Sequence, residues 1–325
     1  MTYHRCGRSG IMLPALSLGL WYNFGAPDSP ENASSMLRFA WDRGITHFDL
    51  ANIYGPPKGE AERFFGQVLR GDFKGLRDQM VISTKAGWPM WDGPYGNFGS
   101  RKHLVASLDQ SLGRMGLEYV DIFYHHRPDV DTPLDETMAA LDQVVRQGKA
   151  LYVGVSSYNA EQTRQSVQIL RKMGTPCLIH QPLYNLFSRG AERELFPLLE
   201  KEGIGCIPFS PLAQGLLTDR YLRGGIPQDS RVAKPHGYLK EAALTKRKLG
   251  ILHALNEIAT RRGQSLAEMS LGWVLHQPAV TSVLMGASRV EQMEINLGCL
   301  SGPVFSSEEH REILELLQDE TEGRG

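Results

Sequence analysis

Met80-Val81-Ile82-Ser83-Thr84-Lys85 and Val120-Asp121-Ile122-Phe123-Tyr124-His125 are short runs of β-branched, apolar and aromatic residues, and each ends on a basic side chain. Between them, residues 101–115 repeat apolar positions three to four apart, the period of a helix with one buried face. Strand, helix, strand at this spacing is a βαβ unit, and its right-handed crossover makes the two strands parallel. Outward from this unit the rhythm continues in both directions. Strand-like runs fall at 16–19, 47–50, 151–156, 177–181, 205–209 and 280–284, which with the first two makes eight. Helical periods occupy the gaps, as at 30–43, 59–69, 134–147 and 160–172, and Arg43-Gly44 and Gln147-Gly148 read as C-terminal stops.

Eight successive βα units are what a closed (β/α)8 barrel requires. The competing architecture, a doubly wound open sheet, wants a Gly-rich phosphate turn after its first strand, and none follows residue 19. The expected fold is therefore α/β: a (β/α)8 TIM barrel behind an N-terminal β-hairpin (3–6, the turn Gly7-Arg8-Ser9-Gly10, then 11–13), with 1–325 as a single domain. One stretch breaks the rhythm. From Ser210 to Ala243, Gly215, Gly224, Gly225, Pro227, Pro235 and Gly237 are interleaved with Arg220, Arg223, Arg231 and Lys234. A connection of that length after strand seven of a compact barrel is usually a lid or a binding loop.

Composition excludes several classes of function. The 325 residues are 42% hydrophobic, enough for an extensive core, and 35 basic against 36 acidic side chains leave a formal charge of -1. No overall field exists to attract nucleic acid or an anionic membrane, and neither is expected as a partner. Cys6, Cys177, Cys206 and Cys299 are too far apart for a redox CxxC or a zinc knuckle, which suits a reducing cytoplasm. The start carries no apolar leader, and no apolar run is long enough to span a bilayer. The H-E-x-x-H, G-x-S-x-G and P-loop patterns are absent.

Active sites of this fold sit at the C-terminal ends of the strands. Asp49 and Tyr54 follow strand two, Lys85 ends strand three, His125-His126 ends strand four, Ser156-Ser157 ends strand five, Gln181 ends strand six and Ser210 follows strand seven. Singly, each has a plainer explanation as a turn, rim or surface residue; jointly they put an acid, a phenol, a lysine and a histidine on one rim. That set suits proton donation to an oxygen gaining negative charge. Lys85 would lower the pKa of Tyr54, Asp49 would hold Lys85, and His126 would hydrogen-bond the substrate oxygen. Adjacent residues on a strand point to opposite sides, so only one of the two histidines can face the rim, and no metal site is expected.

Beyond this, the chain resembles the aldo-keto reductase superfamily, NADPH-dependent carbonyl reductases built on a (β/α)8 barrel. Asp49, Tyr54, Lys85 and His126 match its catalytic tetrad. Tyr184-Asn185, the run from Phe209 to Thr218, that from Ile226 to Arg231 and that from Gly286 to Gln292 are most similar to the bacterial L-glyceraldehyde-3-phosphate or methylglyoxal reductase branch and to the voltage-gated potassium channel β-subunits. The resemblance implies NADPH/NADP+ as cofactor. Trp21 would face the nicotinamide and substrate, Asp49 would belong to the cofactor site as well, and Ser156 or Ser157 with Gln181 would bind the carboxamide. Phe209 would stack on the nicotinamide; Ser210, Leu212, Gln214, Gly215, Arg220 and Arg231 would line the pyrophosphate; Gly286, Ser288, Arg289, Gln292 and Asn296 would hold the adenosine and its 2′-phosphate. The helix start after Ser288 independently favours a phosphate, and Arg289 favours NADPH over NADH. The substrate, a small carbonyl compound, would meet Trp21, Tyr54, Trp88, Trp91, His126 and Arg127, with Arg127 as a partner for a phosphorylated triose. The same resemblance implies a tetrameric or octameric homo-oligomer. It also leaves an alternative, an NADPH-holding redox sensor with little turnover; His126, where the channel subunits carry Asn, favours the enzyme.

Overall fold

The structure, a computed structural model, describes residues 1–222, 241 and 244–318. β1 (Tyr3–Arg5) and β2 (Met12–Pro14) form the antiparallel hairpin. β3 (Leu16–Gly19), β4 (His47–Asp49), β5 (Val81–Ala86), β6 (Val120–His125), β7 (Ala150–Ser156), β8 (Cys177–Gln181) and β9 (Gly205–Cys206) lie side by side in chain order, all parallel. β10 (Val283–Met285) returns to the other edge of β3. The ring closes where the Thr281 N–H donates to the Cys206 carbonyl at 2.8 Å and the Leu284 N–H to that of Pro208 at 3.1 Å.

Two strand boundaries differ from the sequence reading by more than one residue. Strand seven stops as a regular ladder at Cys206 because Pro208 has no N–H to give, although the N–H groups of Ile207 and Phe209 still bond His180 and Pro182. Strand eight starts at Val283 instead of 280, since the Val280 N–H turns back onto Gln277 and that of Thr281 crosses to Cys206.

The helices are α1 (Pro30–Asp42), α2 (Glu60–Arg70), α3 (Arg101–Met115), α4 (Leu134–Arg146), α5 (Ala160–Met173), α6 (Leu195–Glu202), α7 (Lys246–Arg261), α8 (Leu266–Leu275), α9 (Val290–Leu297) and α10 (Ser307–Leu317). Ser29, Ser100 and Asn159 cap the starts of α1, α3 and α5 with a side-chain oxygen on a free N–H. Gly44 and Gly148 take the left-handed backbone expected of the stops after α1 and α4. Of the long connection after β9, Arg223, Gly224, Gly225, Pro227, Arg231, Lys234, Pro235 and Gly237 lie outside the described residues. Among those that are described, no helix is long and apolar enough to cross a membrane, and no group of His, Cys, Asp and Glu could hold a metal ion.

Period-two alternation sorts each strand between two layers. Outward residues such as Phe48 pack on the helices, its ring 5.2 Å from that of Phe65 and 5.9 Å from that of Phe73. The interior of the barrel is divided. One half is apolar, with Ile122, Tyr124, Ile179, Ile207 and Leu284 resting on Leu13 and Cys6 of the hairpin. The other half, from Ser282 just before β10 through β5, carries Ser282, Ser17, His47, Asp49, Ser83 and Lys85, all wholly buried. Polar groups at that depth are tolerable only when hydrogen-bonded, and these are, through one connected set of contacts.

Candidate active site

β4 and β5 end side by side, with Asp49 opposite Ser83, so Lys85 two residues on reaches the same rim. The Lys85 ammonium has three hydrogens and three acceptors: Asp49 Oδ2 at 2.5 Å, the Leu50 carbonyl at 2.7 Å and the Tyr54 hydroxyl oxygen at 3.4 Å. Because Tyr54 accepts from Lys85, its own hydrogen is free for a group in the groove that the phenol borders. The His126 ring stands edge-on to Tyr54 at 5.9 Å, Trp88 edge-on to His126 at 6.3 Å, and Trp21 lies 6.4 Å from Tyr54. These four rings frame one end of the groove. His125, as alternation requires, turns away, its Nδ1 2.6 Å from the Tyr158 hydroxyl.

Burial, and after it the charge of Asp49, pushes the Tyr54 phenol well above its ordinary range. Burial and the charge of Asp49, which also pairs the ammonium at 2.5 Å, together outweigh the lowering expected of Lys85. Burial lowers Lys85 from its ordinary value, with Asp49 and Glu62 resisting. Burial, then the charge of Lys85, takes His126 well below 6.5 and leaves it neutral.

The groove is about 2350 Å³ and runs from Trp21 and Trp88 to Arg289 and Asn296. The aldo/keto reductase family model matches residues 15–318. The chain belongs to the aldo/keto reductase family. It is 55% identical over 323 residues to the L-glyceraldehyde 3-phosphate reductase of Escherichia coli (strain K12), covering 98% of this chain and 93% of that protein. It is 38% identical over 303 residues to the "Probable voltage-gated potassium channel subunit beta" of Oryza sativa subsp. japonica, covering 92% and 91%. A protein of the same name from Arabidopsis thaliana is 37% identical over 300 residues, covering 91% and 90%.

In this aldo/keto reductase, every described residue anticipated for the cofactor or the tetrad lines the groove except Lys85, which lies behind Tyr54 and Asp49. Ser156 Oγ and the Ser157 N–H both donate to the Gln181 carbonyl, at 2.9 and 3.1 Å, and Gln181 Nε2 reaches Asp49 Oδ1 at 3.4 Å. At α9 the Ser288 N–H and Oγ lie 2.9 and 3.0 Å from Gln292 Oε1, and Arg289 lies 3.7 Å from Glu291. Two anticipated substrate contacts are elsewhere. Trp91 packs on His103 at 4.9 Å, and Arg127 donates to the Gly87 carbonyl and Asn97 while lying 3.9 Å over the Trp88 ring. Arg127 braces a wall of the groove without lining it.

The groove suits an extended dinucleotide. Asn23, Ser157, Ser210, Ala213 and Gln214 all line it with left-handed backbone, which costs a non-glycine residue on the order of 1 kcal/mol and clusters at ligand clamps. Gln214 Oε1 is buried there with no partner among the described residues. Sequence reasoning gave no site role to Asn185, whose amide donates to the Ser210 carbonyl at 2.9 Å, or to the groove residues Lys58, Arg189 and Lys248. It also passed over Glu62 of α2, wholly buried between Thr84 at 2.6 Å and Arg114 at 2.6 Å. The signal was there for His47 and Ser83: each stands two residues before a tetrad member on the same strand, so both face inward.

Proposed function

We propose that this aldo/keto reductase is an NADPH-dependent oxidoreductase that reduces small aldehydes or ketones to alcohols, with Tyr54 as proton donor. L-Glyceraldehyde 3-phosphate, named in the bacterial relative, and methylglyoxal are the candidate substrates. The carrying observation is the saturated Lys85: with its three hydrogens taken, Tyr54 has one proton to give, and it borders the groove. When bound, NADPH would supply the hydride that reduces the carbonyl carbon. Tyr54, held neutral by burial, donates to the nascent alkoxide, a far stronger base than phenolate. The phenolate that results lies 3.4 Å from the Lys85 ammonium, which stabilises it in a site already arranged for that charge. His126, neutral, offers an N–H to the same oxygen and fixes its position.

Phe209 would lie against the nicotinamide, with Ser156, Ser157 and Gln181 at its carboxamide. Ser210, Leu212, Gln214, Gly215 and Arg220, with Arg231, would hold the pyrophosphate; Gly286, Ser288, Gln292 and Asn296 would hold the adenosine. Arg289 would bind the 2′-phosphate and set the preference for NADPH over NADH. The reading includes a one-domain protein acting in the cytoplasm as a homo-oligomer. A second reading, an NADPH-holding redox sensor with little turnover, draws on the likeness to the channel subunits; His126 beside Tyr54 favours turnover.

Tyr54→Phe should lower NADPH oxidation with methylglyoxal or 4-nitrobenzaldehyde by about 10²- to 10⁴-fold and leave the fluorescence change on NADPH titration intact. Retained turnover removes Tyr54 from the role of acid. Binding of NADPH by the native protein without turnover of any aldehyde decides for the sensor.

A further inference from the structure

The polar half of the barrel interior is a single file of hydrogen bonds, and the carboxylate at its end sets the direction of each one. Asp49 Oδ1 can only accept, so the Ser83 hydroxyl at 2.6 Å donates to it. Ser83 then has no hydrogen left for His47, and the 3.0 Å contact must run from His47 Nε2–H to Ser83 Oγ. A neutral imidazole protonated on Nε2 has a bare Nδ1, so the Ser17 hydroxyl donates to it at 2.9 Å, and the Ser282 hydroxyl donates to Ser17 at 2.7 Å. Burial supports the neutral ring, pulling His47 down to about 4.

We propose that His47 is a positioning residue of the reductase site: locked as its Nε2–H tautomer, it lines up Ser282, Ser17 and Ser83 head to tail into Asp49. The file pins one carboxylate oxygen while Lys85 holds the other, and its aligned dipoles offset part of the carboxylate charge. That charge is one of the two influences that hold the Tyr54 proton, so offsetting it eases release of the proton to substrate. The charged and titratable groups about Tyr54 and Lys85 are Asp49, His126, Glu62 and Tyr124, and those about His47 are Asp49 and Lys85. A change at His47 therefore reaches Tyr54 through Asp49 and Lys85. Packing alone does not require such a file, for the opposite half of the same interior is filled by Ile122, Ile179, Ile207 and Leu284.

The effect on catalysis rests on the reductase reading; the tautomer does not. Nitrogen-15 NMR of histidine-labelled protein at about neutral pH should show a neutral ring protonated on Nε2 whose signal disappears in His47→Gln. A ring protonated on Nδ1, or a charged one, overturns the proposal. In steady-state kinetics Ser83→Ala and His47→Gln should each lower kcat by about 10- to 100-fold with KM unchanged. Both should move the basic limb of the kcat profile to higher pH, because Asp49 then weighs more fully on Tyr54, and Ser83→Thr should restore both quantities. A fall in kcat or stability with the limb in place overturns the proposal. Failure of the reductase reading shows separately, as turnover retained by Tyr54→Phe.

Discussion

Arg127 shows how a side chain's partners outrank its type. On the sequence it is a rim cation two positions from the end of β6; in the fold its guanidinium is held by Gly87 and Asn97 and stacked 3.9 Å over Trp88, which in turn stands edge-on to His126. A guanidinium held in this way orients an aromatic wall, with Nε and Nη2 already donating to protein acceptors. Arg127→Ala should raise KM several-fold, about 1 kcal/mol of lost cation–π contact, and equally for methylglyoxal and L-glyceraldehyde 3-phosphate. A loss confined to the phosphorylated aldehyde would return Arg127 to the substrate site. The tetrad behaves differently because Lys85 and Asp49 are both wholly buried, and a buried charge without its partner is expensive enough that the geometry is tightly set.

Among the elements, β7 carries a glycine that its neighbours require. A Cβ on Gly154 would come within 2.6 Å of the Ile179 carbonyl and 2.7 Å of the Tyr124 ring, whose centroid lies 5.7 Å from Lys85 Nζ. The glycine leaves room for the ring beneath the ammonium, at a point where the β7–β8 register shifts. Gly154→Ala should therefore cost about 1–3 kcal/mol of stability, read from the urea midpoint, and an unchanged midpoint would mean that β7 yields there. Element ends were largely legible. α3 runs over the predicted 101–115, and α1 and α4 stop before glycines with positive φ, because caps and stops act within one turn. The displaced start of β10 was not legible, since it depends on where Cys206 presents its carbonyl across the barrel.

Among the described residues, burial holds five histidines neutral: His126 is taken well below 6.5, His47, His103 and His180 are each lowered to about 4, and His125 to about 3. The unfolded chain would take up these protons near pH 6.5 and the folded one only near 4 or below. The sign follows: stability is full above about 6.5 and is lost as pH falls toward the folded values, at up to about 1.4 kcal/mol per histidine per pH unit. Tm should change little on the alkaline side of neutrality and drop steeply between about pH 6 and pH 4.5. A Tm that stays flat through that window would mean that these rings protonate within the fold. The sequence by itself determined the eight βα units, the order of the strands and the rim that gathers Asp49, Tyr54, Lys85 and His126, because strand alternation, helical period and strand ends are local properties of neighbouring residues. Only the tertiary structure decided the upward shift of the Tyr54 phenol, the turning of Arg127 onto Trp88, and the file from Ser282 to Asp49. Burial and closure of the ring decide these, and the 2.7 Å contact between Ser17 and Ser282 joins residues 265 positions apart, a distance over which no local preference acts.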